Sequence, residues 1–210
     1  MALFDLTIEE GRYLVQLARK TVTAFLGSGR MPPIPSDAPA RLSERCGVFV
    51  TLNSVKDGHD LRGCIGFPTP EYPLVEATMR SAIEAATGDP RFNPVTLREF
   101  QSEIVVEVSV LTPPELVKVS DPRAYPNEIK VGRDGLIVER GAYRGLLLPQ
   151  VPIEWGWDEE EFLSQCCLKA GLSPDAWLVK GTRILKFQAI IFQEERPGGE
   201  IRRRSLGDVR

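Results

Sequence analysis

The sequence contains one histidine, His59, and four cysteines among its 210 residues. With a single imidazole, a Ser-His-Asp triad would have to use His59. The cysteines, Cys46, Cys64, Cys166 and Cys167, form no CxxC pair. The sequence therefore predicts neither a dedicated zinc site nor an iron-sulfur cluster, and we expect no metal and no cofactor.

The sequence also lacks an excess of basic charge and a long apolar run. It has 26 basic and 29 acidic side chains, which give a net charge of -3. This charge argues against a nucleic-acid partner, because phosphate binding depends on clustered Lys and Arg. No stretch approaches the roughly 20 apolar residues of a membrane span, and the N-terminus does not resemble a secretory signal. We expect a soluble, cytoplasmic protein without membrane contacts or disulfides.

The apolar patterning that is present predicts an α+β fold, mainly antiparallel sheet with about three helices. The helices are expected over about 8–26, 73–88 and 159–170, where apolar residues recur at helical spacing. Strands are expected in VFVTL and DLRGCIGF, which form a hairpin, and over about 103–111. Hairpins mixed with helices favour α+β over alternating βαβ units.

The second half of the chain carries further turn signals. Two apolar runs around Arg133-Asp134-Gly135 predict a hairpin, followed by a strand in YRGLLLPQV, and a last strand is expected over about 184–192. Beyond Arg196 the sequence has a proline, glycines and few large apolar groups. We therefore expect one domain over residues 1–195 and a flexible basic tail over 196–210.

The sharpest local motif is Leu61-Arg62-Gly63-Cys64-Ile65-Gly66. On a regular strand Arg62 and Cys64 point to the same face, so the guanidinium would lower the thiol pKa, which is the usual condition for a reactive cysteine. The glycines would let another group approach closely. The alternative is that Cys64 is a small buried apolar side chain and the glycines serve only packing.

Four other residues are candidates for the same site. Glu107 interrupts the strongly apolar run SEIVVEVSVL, and a buried carboxylate needs a cation, for which Arg62 is the expected partner. His59 lies near the predicted turn and is expected on the opposite strand face from Cys64. In the segment DPRFNPV, Asp89 suits an Asx-type turn and Arg91 suits an ion pair or a cleft.

The motif resembles the signature hexapeptide of the AMMECR domain family, whose prokaryotic members are also called protein A of the AmmeMemoRadiSam system. Further blocks resemble the family in the same order. They are GVFVTL, DPRFNPV, EVSVLTPP, DGLIVERG, GLLLPQV and EEFLSQCCLKAGLSPDAW. The resemblance implies an α+β fold with a larger and a smaller subdomain packed together. It also implies a process shared with Memo-like and radical S-adenosylmethionine proteins as partners.

Two functions are compatible with these residues. In the first, the protein is a thiol-based enzyme or enzyme component that uses Cys64, with Arg62 and Glu107 setting its charge environment. In the second, it is a non-catalytic adapter or binding domain whose motif forms a groove for a ligand or a peptide. The expected lining of this groove comprises Leu61, Gly63, Ile65 and Gly66 of the motif together with His59, Asp89 and Arg91.

Overall fold

The computed structural model describes residues 6–56, 58 and 60–204. The chain forms two compact units, each built on a largely antiparallel β-sheet. The larger unit runs up to Leu111 and includes Ile190–Arg204, whereas the smaller unit comprises Thr112–Ala189. The architecture is thus α+β, as the sequence predicts.

In the described residues, each unit holds three α-helices, and the strands form a five-stranded sheet in the larger unit and a four-stranded sheet in the smaller one. The larger unit holds α1 (Ile8–Ser28), α2 (Leu74–Thr87), α3 (Leu97–Ser102), β1 (Val48–Ser54), β2 (Asp60–Phe67), β3 (Ile104–Leu111), β8 (Ala189–Glu194) and β9 (Ile201–Arg204). The smaller unit holds α4 (Tyr125–Glu128), α5 (Val151–Trp155), α6 (Glu159–Lys169), β4 (Glu115–Leu116), β5 (Gly135–Arg140), β6 (Tyr143–Leu147) and β7 (Arg183–Phe187).

The sheet of the larger unit has the strand order β2-β1-β3-β8-β9. Alternate residues of its central strands, among them Val50, Leu52 and Val108, are fully buried in a core that includes apolar residues of α1 and α2. Because side chains of a strand alternate between the two faces, these buried residues all lie on one face of the sheet, and that face packs against the helices. Burial of each such side chain contributes roughly 1.5–3 kcal/mol.

Helix α1 is tied to this sheet by a buried ion pair. It begins with a capping box formed by Thr7 and Glu10. Further along the helix, Arg19 contacts the Glu194 carboxylate through two nitrogens and donates to the carbonyl oxygens of Phe100 and Ile104. The same carboxylate accepts the Val106 backbone N–H at 2.9 Å. One carboxylate therefore holds α1, β3 and β8 together.

The smaller unit places α6 against the sheet of order β4-β7-β5-β6. Gly145 of β6 permits close contact, since a Cβ there would overlap the backbone of Cys166 and Ala170. Cys166 and Cys167 are both fully buried, and burial raises their pKa values to about 12 and about 11. Both thiols therefore fill the core of the smaller unit.

The expectation of about three helices is wrong in number. Helices α1, α2 and α6 match the three predictions, but α3, α4 and α5 have only four to six residues each. Such segments are too short to show a helical period in the sequence. In the described part of the chain, none of these helices has the length and apolar character that crossing a bilayer requires.

Two strand predictions in the second half are also wrong. The residues before Arg133-Asp134-Gly135 form no strand, because Asp134 accepts the Lys130 N–H and closes a local turn. The hairpin lies instead between β5 and β6, with Gly141 at φ 59° in its turn. The single strand expected over about 184–192 is two strands, β7 and β8, which belong to different sheets.

The prediction of a loose tail from Arg196 onward is wrong for the described residues, which extend to Arg204. Ile201–Arg204 forms β9 and pairs antiparallel with β8. A tight turn with Gly198 at φ 65° reverses the chain, and Ile201 is buried. The expected domain boundary at residue 195 therefore falls inside a hairpin, and residues 205–210 lie outside the described residues.

Replacing Glu194 by glutamine should lower the free energy of unfolding by at least about 2 kcal/mol, because it leaves the Arg19 guanidinium, whose side chain is only 15% exposed, without its counter-charge. Urea unfolding of Glu194→Gln measures this change. The matched control is Glu195→Gln, whose side chain is 47% exposed and whose effect should stay within about 0.5 kcal/mol. Equal effects of the two variants would contradict a special role for the buried pair.

Candidate functional site

The motif Leu61–Gly66 lies on β2, an edge strand of the larger unit's sheet. A Cβ at Gly63 would overlap the Ala85 carbonyl oxygen of α2, and one at Gly66 would overlap the Val48 carbonyl oxygen and the Phe49 ring. The interpretation that these glycines allow close approach is therefore confirmed. Both glycines are accounted for by packing alone.

The strand register aligns Cys64 with two polar residues. Thr51 of β1 lies opposite Cys64 of β2 and also opposite Glu107 of β3. Directly opposed residues in antiparallel strands have Cβ atoms about 4.5–5.5 Å apart on the same face. The Thr51 hydroxyl donates to Cys64 Sγ at 3.3 Å. Because Val50 and Leu52 face the helices, this polar row lies on the other face of the sheet.

The loop after α2 brings Asp89 and Arg91 to the motif. The Cys64 N–H donates to Asp89 Oδ2 at 2.9 Å. Arg91 Nε and Nη2 donate to Asp89 Oδ1 and Oδ2 at 3.0 and 2.7 Å, and Nη2 lies 3.4 Å from the Cys64 carbonyl oxygen. The Arg91 guanidinium holds the pKa of the buried Asp89 carboxyl well below its usual range. Asp89 is therefore an anion that positions the Cys64 backbone.

Arg62 does not accompany Cys64, contrary to the prediction. A register shift pairs Leu52 with Gly63 but Asn53 with Leu61, which leaves Arg62 as the extra residue of a β-bulge. Its guanidinium donates to Glu99 at 2.7 Å and to the Asn93 carbonyl oxygen at 2.8 Å. The bulge therefore turns the side chain toward α3 and the loop that precedes it.

Glu107 is also paired differently from the prediction. Arg204 of β9, rather than Arg62, donates to Glu107 Oε2 at 3.0 Å, and the Ser109 hydroxyl lies 3.5 Å from Oε1. Burial raises the pKa of the Glu107 carboxyl, whereas Arg204 opposes this shift. The expected need of a buried carboxylate for a cation is confirmed, but the cation comes from the segment predicted to be loose.

The pKa of the Cys64 thiol is raised, mainly because this half-buried thiol is shielded from much of the solvent. The hydrogen bond from Thr51 and the charge of Arg91 lower it, whereas the charges of Glu107 and Asp89 raise it. The prediction that Arg62 lowers this pKa is therefore wrong in both the residue and the net direction. At neutral pH, Cys64 is therefore a protonated, uncharged thiol.

The remaining predicted residues are only partly placed around Cys64. Leu61 is 39% exposed, and Ile65 is half-buried against the core of the larger unit. His59 lies outside the described residues. Cys46 is buried, and its pKa is raised to about 11. Among the described cysteines, Cys64 is the one that is not buried.

Sequence reasoning missed two residues of this cluster. Thr51 could have been found, because the alternation in GVFVTL places it on the face opposite Val50 and Leu52. Arg204 had no local signal, since its contact with Glu107 depends on strand pairing across about half of the chain. Within the described ranges, no group of three or more His, Cys, Asp or Glu side chains is arranged to hold a metal ion.

The AMMECR1 family model matches residues 15–192. The chain belongs to the AMMECR1 family. The matched region contains the motif, the Asp89 loop and Glu107, whereas Arg204 lies beyond it. Membership confirms the resemblance drawn from the sequence blocks.

Individual AMMECR1-family relatives are similar over nearly their whole lengths. Protein PH0010 of Pyrococcus horikoshii is 58% identical over 205 residues, which is 97% of this chain and 98% of the relative. Protein MJ0810 of Methanocaldococcus jannaschii is 53% identical over 201 residues, 96% of this chain and 98% of the relative. The crystal structure of the uncharacterized protein PH0010 matches with a TM-score of 0.87 at 56% identity, covering 96% of this chain and all (100%) of that one.

Replacing Gly63 by alanine should lower the free energy of unfolding by about 1–3 kcal/mol, because the new Cβ would force α2 away from β2. Thermal or urea unfolding measures the loss. Gly27→Ala is the matched control, since a Cβ there meets nothing within 4 Å and alanine favours the helix by up to about 1 kcal/mol. A neutral Gly63→Ala would show that the close approach does not constrain the motif.

Proposed function

We propose that the LRGCIG motif forms a thiol-based site in which Cys64 adds to an electrophilic carbonyl carbon of a small ligand. The observation that carries the proposal is the setting of Cys64, the one described cysteine that is not buried. Its Sγ accepts a hydrogen bond from Thr51, and the Arg91 guanidinium lies 3.4 Å from the Cys64 carbonyl oxygen. The membership in the AMMECR1 family supports a shared site but assigns no reaction to it.

The raised pKa of Cys64 means that the thiol has to lose its proton as the sulfur attacks, because the thiolate is the nucleophilic form. The carbonyl oxygen of the ligand acquires a proton on addition and is the acceptor that balances this loss. Sγ forms a bond to the carbon, the π electrons of the carbonyl move to its oxygen, and the thiol proton ends on that oxygen. The addition is therefore balanced without an oxidant or a reductant.

Arg91 is the group suited to stabilise the oxygen while charge develops on it. Its Nε and Nη2 already donate to Asp89, and among the described residues Nη1 makes no hydrogen bond. The side chain is 54% exposed and can reach a ligand without breaking the contact with Asp89. A positioned guanidinium at a developing oxyanion is a common source of transition-state stabilisation.

The second candidate is the non-catalytic adapter or binding domain. Two observations favour it: packing accounts for both glycines of the motif, and the thiolate form of Cys64 is disfavoured. In this function Cys64 only packs, and the motif forms the wall of a groove for a ligand or a peptide. The two functions differ in whether the Cys64 thiol is accessible and chemically tuned.

The pH dependence of alkylation by iodoacetamide tests the proposed thiol site. Because the pKa of Cys64 is raised, its alkylation rate should climb with pH and reach half-maximum above the ordinary cysteine range. Thr51→Val removes a hydrogen bond that lowers this pKa, so its midpoint should move to higher pH. Glu107→Gln removes an anion that raises the pKa, so its midpoint should move to lower pH.

Mass spectrometry of the alkylated, folded protein identifies the modified residue. Cys64→Ser is the control, and it should abolish the alkylation that is assigned to Cys64. A Cys64 that stays unmodified in the folded protein across this pH range would exclude the nucleophile and leave the adapter. Midpoints that do not respond to Thr51→Val or Glu107→Gln would show that the polar row does not tune the thiol.

The partners implied by the family resemblance stay a prediction. We propose that this protein acts in one process with Memo-like and radical S-adenosylmethionine proteins. Support comes only from the family to which the chain belongs. Co-purification of the full chain with such proteins from the same organism, compared with the Cys64→Ser variant, would test whether the motif takes part in the contact.

A further inference from the structure

A row of three charged side chains crosses the sheet of the smaller unit. Glu139 on β5 lies opposite Arg144 on β6 and opposite Arg183 on β7. Opposed residues of antiparallel strands share one face of the sheet, so a guanidinium flanks the carboxylate on either side. The row carries one positive charge in excess.

The two guanidinium groups are close to Glu139 but poorly satisfied by it. The nearest nitrogen-oxygen distances are 3.4 Å for Arg144 and 3.2 Å for Arg183, and within residues 60–204 neither side chain donates a hydrogen bond. Arg133 of the same unit shows the contrast, since it makes two hydrogen bonds of 2.9 and 2.6 Å to Asp134. The donors of Arg144 and Arg183 are thus available to a further acceptor.

These three side chains line a cavity of about 360 Å³ at the end of the β5–β6 hairpin. This volume lies within the range of small-molecule sites. Gly141 and Gly181 contribute to the wall, and a Cβ at either position would meet nothing within 4 Å, so the wall leaves open space there. Tyr143 also lines the cavity, and its residue surface is 56% exposed.

We propose that this cavity binds a small-molecule phosphate monoester. A phosphate has three free oxygens and about two negative charges, so it can accept from two guanidinium groups at once. A carboxylate has two oxygens and one negative charge, so it offers two guanidinium groups fewer acceptors and less charge than a phosphate does. Two unsatisfied guanidinium groups on either side of one carboxylate therefore match the phosphate better. The aromatic ring of Tyr143 offers apolar surface for the organic part of the ligand.

Isothermal titration of the full chain with phenyl phosphate, with benzoate as the carboxylate comparison, tests this site. We expect saturable binding of phenyl phosphate and at least about tenfold weaker binding of benzoate. Arg144→Gln and Arg183→Gln should each weaken phenyl phosphate binding about tenfold or more, in line with the loss of a charge-assisted hydrogen bond. Glu139→Gln should strengthen binding, because it removes a like charge beside the anion.

Two further variants separate a built site from general electrostatic attraction. Arg140→Gln is the matched control, since it removes the same charge from the neighbouring position of β5, which does not line the cavity. Its binding should change less than twofold. Ala142→Leu adds volume to the lining without a charge change and should weaken binding of phenyl phosphate.

Circular dichroism of each variant establishes that the fold is intact before binding is compared. An equal loss in Arg140→Gln and Arg144→Gln would overturn the proposal, as would benzoate binding as tightly as phenyl phosphate. Absence of saturable binding of phenyl phosphate up to millimolar concentration would overturn it as well. Because none of these variants touches the motif, the outcome is independent of the thiol chemistry proposed for Cys64.

Discussion

The position of β1 between β2 and β3 is the constraint on which the larger unit depends. One register places Val50 and Leu52 into the core with the helices and, on the other face, aligns Thr51 with Cys64 and Glu107. Since strand side chains have a period of two, a slip by one residue would exchange the apolar and polar faces. The packing of the helices and the composition of the candidate site are therefore fixed together. The site is inseparable from the stability of the sheet.

Much of the fold could be predicted because it is encoded in local patterns. The capping box at Thr7 and the apolar period of α1 need only a few consecutive residues to be recognised. The alternation in β3 and the glycine spacing in β2 are equally local. What escaped prediction depends on contacts between distant segments. The separation of β7 from β8 into two sheets and the pairing of β9 with β8 are the clearest examples.

The candidate site shows the same division. The motif, Asp89 and Glu107 were found from residue type and context, and the structure brings Asp89 into contact with the Cys64 backbone. The prediction that Arg62 pairs with Glu107 is wrong for a specific physical reason. A regular strand would keep Arg62 on the face of Cys64, but the bulge between Leu61 and Gly63 releases it toward Glu99. Arg204 then supplies the charge that Glu107 requires.

The hydrogen bond from the Cys64 N–H to Asp89 has a consequence for self-association. Strand β2 lies at the edge of its sheet, and the outward N–H groups of an edge strand are a template on which another extended chain can add. The Asp89 carboxylate occupies one of these groups in the middle of the motif, and Arg91 covers the neighbouring carbonyl. An ion pair placed along a strand edge in this way discourages intermolecular β-pairing. The Asp89 loop thus shields one edge of the larger unit's sheet from pairing with another extended chain.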